Sequence, residues 1–196
     1  MGVLLLAIEE GLGLRGRVFV ATYQWRGDYA SSLYKPSGEA CKPDETRVSH
    51  NILCDNGLTL LTSAIAWSCG EDQNANMGAP MPSAGIYAAP IYGAIGTGTG
   101  TPAGHDATLF TENSRGVVTG TGYAAAYYPS PALFSWLFLF PIPATALTIS
   151  ECGVFFQATA TPASGQLFNH ALISPTITQS TTQIFTLNIS IAIGND

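Results

Sequence analysis

The sequence predicts a mainly β protein: an antiparallel β-sandwich of jelly-roll type with one short α-helix and an N-terminal extension. Three observations carry this expectation. Beyond residue 84 the chain is a series of short apolar runs broken by Gly and Pro, the spacing typical of sandwich strands. The last run alternates strictly, with Phe185, Leu187, Ile189, Ile191 and Ile193 facing one way and Thr186, Asn188, Ser190 and Ala192 the other. That is the period of a half-buried antiparallel strand. Helical periodicity is convincing in one stretch alone, near residues 57–68.

Taken in order, residues 1–50 read as an N-terminal strand and loop arm and residues 51–196 as the sandwich domain. Arg15–Trp25 alternates Val18, Val20, Thr22 and Gln24 against Phe19, Ala21, Tyr23 and Trp25, and Gly27-Asp28 turns the chain. Ser31–Asp44 has loop composition and holds several of the few charges. In the helix, Asp55 or Asn56 supplies the N-cap, Leu58, Leu61 and Ile65 form the apolar stripe, and Gly70 ends it. Glu71–Pro82 is a polar loop. Strands are then expected at Gly85–Ile95, Thr108–Thr119, Leu133–Phe140, Leu147–Phe156, Gln166–Ile173 and Ile184–Ile193.

Composition narrows the function. Of 196 residues 46% are hydrophobic and 10% charged, against roughly 25% charged in ordinary soluble domains. A net charge of −6 opposes nucleic acid as a partner, since binding it takes a basic face. All seven basic residues lie at or before Arg115, and beyond it only Glu151 and Asp196 are charged. A surface so poor in charge points to cover by other subunits. Val3–Ile8 has no basic lead and runs into Glu9-Glu10, so no export signal is expected. Ala132–Ile149 is interrupted by Pro141 and Pro143 and lacks basic flanks, so it reads as two strands and no membrane partner is expected.

Chemistry-bearing motifs are sparse. Cys41, Cys54, Cys69 and Cys152 have no CxxC pairing and no nearby His in ligand spacing, which argues against zinc and favours free thiols over disulfides. Gly96–Gly104 lacks the Lys-Ser/Thr of a phosphate loop and reads as a tight connection between strands. Of His50, His105 and His170, only His105 adjoins a carboxylate, Asp106, and neighbouring strand residues face opposite ways, so no catalytic pair is expected. Glu151 shares a strand face with Leu147 and Ile149 on simple alternation, so it needs a cation or several hydrogen bonds. Arg115 is the expected ion-pair partner, with Glu112 competing for it and a solvated Glu151 at a strand end as the alternative. Leu133–Phe140 is apolar on both faces, which makes Trp136, Phe138 and Phe140 interface candidates, with Tyr127 and Tyr128 beside them. No catalytic residue, metal or cofactor is expected.

The order of motifs resembles structural proteins of tailed-bacteriophage virions. The resemblance rests on Asn51-Ile52-Leu53, Asn56-Gly57-Leu58 and the helix, then Ile95-Gly96-Thr97-Gly98-Thr99 with Pro102. Leu109, Glu112-x-x-Arg115, Ile149–Phe155, Gly165–Phe168 and the Thr-rich final strand complete it. Cys152, where an aliphatic residue is expected, and the long Ser31–Asp44 loop depart from the pattern. The resemblance implies a non-enzymatic virion component that binds the major capsid protein or other virion proteins as a decoration or cement subunit. The alternative is a tail, baseplate or fibre component that touches host carbohydrate, with Tyr87, Tyr92, Tyr127 and Tyr128 stacking on sugars. Self-association, as a trimer, would cover the apolar sheet, and the Gly/Thr loop and Ser31–Asp44 are the expected contact arms.

Overall fold

The computed structural model describes residues 13–24, 43–68, 91–124, 132–156 and 158–194. They form eight strands and one helix: β1 (Gly13–Gln24), β2 (Glu45–Leu53), α1 (Asp55–Ser68), β3 (Tyr92–Gly96), β4 (Glu112–Ala124), β5 (Ala132–Phe140), β6 (Leu147–Phe156), β7 (Gln166–Gln179) and β8 (Gln183–Gly194). Every pairing is antiparallel, and the neighbours run β1-β2-β7-β6-β3-β4-β5-β8 before β8 returns to β1. Where the sequence suggests two packed sheets, the ladders instead follow one another round a ring.

Three strands show why this closure works. β8 lies between β5 and β1, with Ile189 opposite both Trp136 and Val18, and Leu187 opposite both Phe138 and Val20. Phe185 in turn faces Phe140 and Thr22. Each layer places large apolar side chains on the inner face, where Phe138, Phe140, Phe185, Leu187 and Ile189 are fully buried. The alternation of β8 supplies this register directly, since a slip of one residue would turn its whole apolar set outward.

This packing corrects one expectation. Trp136, Phe138 and Phe140 belong to the interior cluster, together with Phe156, Phe168 and Ile173. Trp136 meets Phe156 and Phe168 edge-on at centroid distances of 5.7 and 5.5 Å. All three point into the ring; among the described side chains of that strand the outward ones are the half-buried Ser135, Leu137 and Leu139. Tyr127 and Tyr128 lie outside the described residues.

Boundaries shift for local reasons. The division at residue 50 falls inside β2, and β1 and β2 are staves of the ring. The helix starts at Asp55, with the Cys54 carbonyl accepting the Leu58 N–H at 3.0 Å. β4 begins at Glu112 because residues 108–111 remain in the preceding loop. β7 continues to Gln179, beyond the expected Ile173.

The thinnest part of the ring is between β2 and β7, where the ladder holds only Ile52 opposite His170 and Leu53 opposite Asn169. Further along, side chains replace the backbone bonds: Ser49 Oγ donates to the Leu172 carbonyl and Arg47 Nε to that of Pro175. Among the described residues, the buried amide of Asn51 and Nδ2 of Asn169 have no hydrogen-bond partner at this seam.

Candidate functional site

The most concentrated chemistry among the described residues lies on the outer face of β6 and β7, beneath the loop of residues 97–111. The β6–β7 register breaks there: between the pairs Ile149–Ile177 and Glu151–Leu172, Ser150 alone on β6 stands against residues 173–176 of β7. Ile149 and Cys152 both turn into the interior cluster, while Ser150 and Glu151 between them both reach Gly98 of the loop on the outside. The shared face expected from simple alternation is therefore overturned at Ser150.

Glu151 is completely buried. Its Oε1 accepts the N–H groups of Gly98 at 2.9 Å and Thr111 at 2.7 Å, and its Oε2 accepts that of Phe110 at 2.9 Å. Nε2 of His170 lies 3.0 Å from the same Oε2. The other ring nitrogen, Nδ1, lies 2.8 Å from Oδ2 of Asp106, which also accepts the Ala103 N–H at 2.8 Å. The Phe110 ring covers the imidazole at a centroid distance of 4.8 Å.

The two carboxyl groups respond alike. Burial alone would raise Glu151, but hydrogen bonds from His170 and from the Thr111, Phe110 and Gly98 amides outweigh it and hold the group below its ordinary value. Asp106 feels a burial effect in the same sense, overcome by the Ala103 N–H, by His170 and by the nearby His105. With both carboxylates ionised, meeting both contacts takes an N–H on each ring nitrogen, which is the cationic form of His170.

The expected Glu151–Arg115 pair is not formed. Arg115 instead binds Glu112, the competing partner, through Nε at 2.5 Å and Nη2 at 3.0 Å. Its guanidinium carbon sits 4.0 Å from the centre of the Phe155 ring, and Nη1 donates to the carbonyls of Thr159 and Ser164. Arg115 thus fastens the β6–β7 turn to β4. What Glu151 receives is both things its burial demands, a cationic side chain and several N–H donors. His170 is the site residue that the sequence expectation lacks, and its signal is a lone His within the largely apolar run Leu167–Ile173.

The Gly/Thr loop does hold an anion, but the anion is the chain's own carboxylate. A Cβ on Gly98 would stand 2.5 Å from Oε1 of Glu151 and 2.5 Å from Cβ of Phe110. One on Gly96 would stand 2.5 Å from that same Oε1. Glycine is needed at both places for the backbone to approach. As a contact arm the loop is already engaged with its own sheet: Ser150 Oγ donates to the Gly98 carbonyl, Thr97 N to that of Thr111, and Asp55 N to that of Gly104. Of Ser31–Asp44, only Pro43 and Asp44 fall within the described residues.

Comparison with protein-family models, with curated proteins and with solved structures returned no match. Among the described residues no group of three His, Cys, Asp or Glu side chains is placed to hold a metal ion. Cys54 and Cys152 are free and buried, while Cys41 and Cys69 lie outside the described residues. Burial, aided by Asp106 and Asp55, pushes the Cys54 thiol up to about 12, and burial with Glu151 nearby raises Cys152 as well. Neither is a thiolate at neutral pH, so neither is prepared as a nucleophile. His170 is likewise unsuited to general-base work, because both nitrogens are engaged by carboxylates and the ring is shut off from solvent.

Proposed function

We propose that this chain is a non-enzymatic structural subunit of a tailed-bacteriophage virion, a decoration or cement protein that binds and stabilises neighbouring capsid subunits. The observation that carries the reading is the outer wall formed by β1 and β2. Phe19 and Val48 stand opposite each other there and Ile52 follows on β2, at 37%, 58% and 41% exposure. Apolar side chains grouped on a sheet face favour burial against another protein. The chain's low charge beyond Arg115 supports the same reading, as does a buried charge cluster whose members serve one another.

In this role each subunit contributes a modest contact, and repetition over a particle multiplies it. Self-association as a trimer would bury part of the wall. The test is copy number in purified virions that carry the chain, by quantitative mass spectrometry. Hundreds of copies per particle are expected for a shell decoration. A few to some tens would move the protein to the tail, baseplate or fibres, and absence from particles would overturn the virion assignment.

A further inference from the structure

Beneath the 97–111 loop lies a second, smaller apolar cluster of Cys54, Ala94, Leu109, Phe155, Ala158 and Leu167. It sits on the outside of the ring, separate from the interior cluster that contains Cys152. Leu109 is the loop's own contribution to it. The loop is its cover.

The fastening of that cover is mostly ionic. Four contacts tie the loop to the sheet through the two carboxylates: Gly98, Phe110 and Thr111 to Glu151, and Asp106 to His170; Ala103 braces Asp106 within the loop and Glu151 braces His170 within the sheet. The bonds from Thr97 to Thr111, Ser150 to Gly98 and Asp55 to Gly104 are between neutral groups. Hydrogen bonds to an ionised partner are roughly twice as strong as neutral ones, so the carboxylates dominate.

We propose that the 97–111 loop is an acid-released cover: protonation of Glu151 and Asp106 unties it, lifts Leu109 from Leu167 and bares the Cys54 thiol. The driving force is the charge left behind. Once both acids are neutral, the His170 cation is buried without a counter-charge, and a buried uncompensated charge is strongly destabilising. Water reaches it when the loop lifts. The direction follows from the lowered carboxyl groups, whose contribution is complete above their ordinary range near about 4 and disappears as pH falls through their folded values.

The remaining ionisable or charged neighbours among the described residues are few. Cys152 adjoins Glu151 on β6, Cys54 and Asp55 stand at the start of α1, and His105 lies next to Asp106 in the loop. Glu112 and Arg115 on β4 are bound to each other.

The two thiols allow a decisive experiment, because Cys54 lies under the loop and Cys152 lies inside the ring. The full chain is treated with dithiodipyridine, which reacts with thiols in acid, and labelling at each cysteine is located by peptide mass spectrometry. Rates are divided by that of a small thiol at the same pH. Between about pH 7 and about pH 3, Cys54 labelling is expected to rise by at least roughly tenfold while Cys152 stays protected. Labelling of both thiols together would mean that the whole ring opens, and continued protection of Cys54 would mean that the carboxylates do not hold the loop; either overturns the proposal. Asp106→Asn, at a partly exposed loop position, should raise Cys54 labelling at neutral pH with Cys152 unchanged. Glu151→Gln should do so more strongly, and the Asp106 variant suffices if Glu151→Gln does not fold.

Discussion

At the scale of single residues, the position of Glu151 shows how far local sequence carries. A carboxylate within Leu147–Phe156 had to find a cation or several donors, and that requirement is legible from its neighbours. The identity of the cation is not. The β6–β7 register, broken beside Ser150, brings Glu151 and His170 to one side of the sheet, and Asp106 reaches His170 from the loop, 64 positions away. Alternation alone puts Glu151 on the wrong face for this reason. The glycines of the loop are the residues that sequence reading explained least, since their reason is a carboxylate more than fifty positions away. Gly98→Ala is expected to destabilise the protein by about 1–3 kcal/mol, the usual range for forcing atoms into a filled site. A urea melt checks this, and an unchanged midpoint would show that the loop adjusts at no cost.

Strand spans are readable in the sequence where alternation or dense apolar content marks them. β8 and β6 match their expected spans closely because alternation or strong apolar content marks them, whereas β2 carries no strand signal in the sequence. Its residues Glu45, Arg47, Ser49 and Asn51 are polar, and several face a seam where side chains stand in for ladder bonds. β5 presented the opposite difficulty: with both faces apolar, the sequence could not say which one is inside. The structure puts Trp136, Phe138 and Phe140 there. Trp136→Ala should therefore cost about 3–5 kcal/mol of stability, as aromatic truncations in cores do. Chemical denaturation of the variant measures it, and a loss well under 1 kcal/mol would return Trp136 to the surface.

For the whole molecule, the closed ring changes how association has to occur. A ring of ladders offers few free strand edges, so under the proposed role a partner would be met side chain to side chain on the wall rather than by adding a strand. Replacing Phe19 and Val48 together by Ser should lower the association state seen by light scattering while leaving the melting temperature nearly unchanged, because both side chains are already substantially exposed. A variant that remains as associated as the parent would remove this wall from the assembly. The ring has one further consequence, a mechanical one. Gly13 lies opposite Gly194 at the same end of the antiparallel β1–β8 ladder. Tension applied through these two points would load that ladder one hydrogen bond at a time, as a zip is opened, instead of shearing all its bonds at once. Under the proposed virion role, a swelling particle would be restrained well by subunits gripping through their walls and poorly by subunits tethered through Gly13 and Gly194.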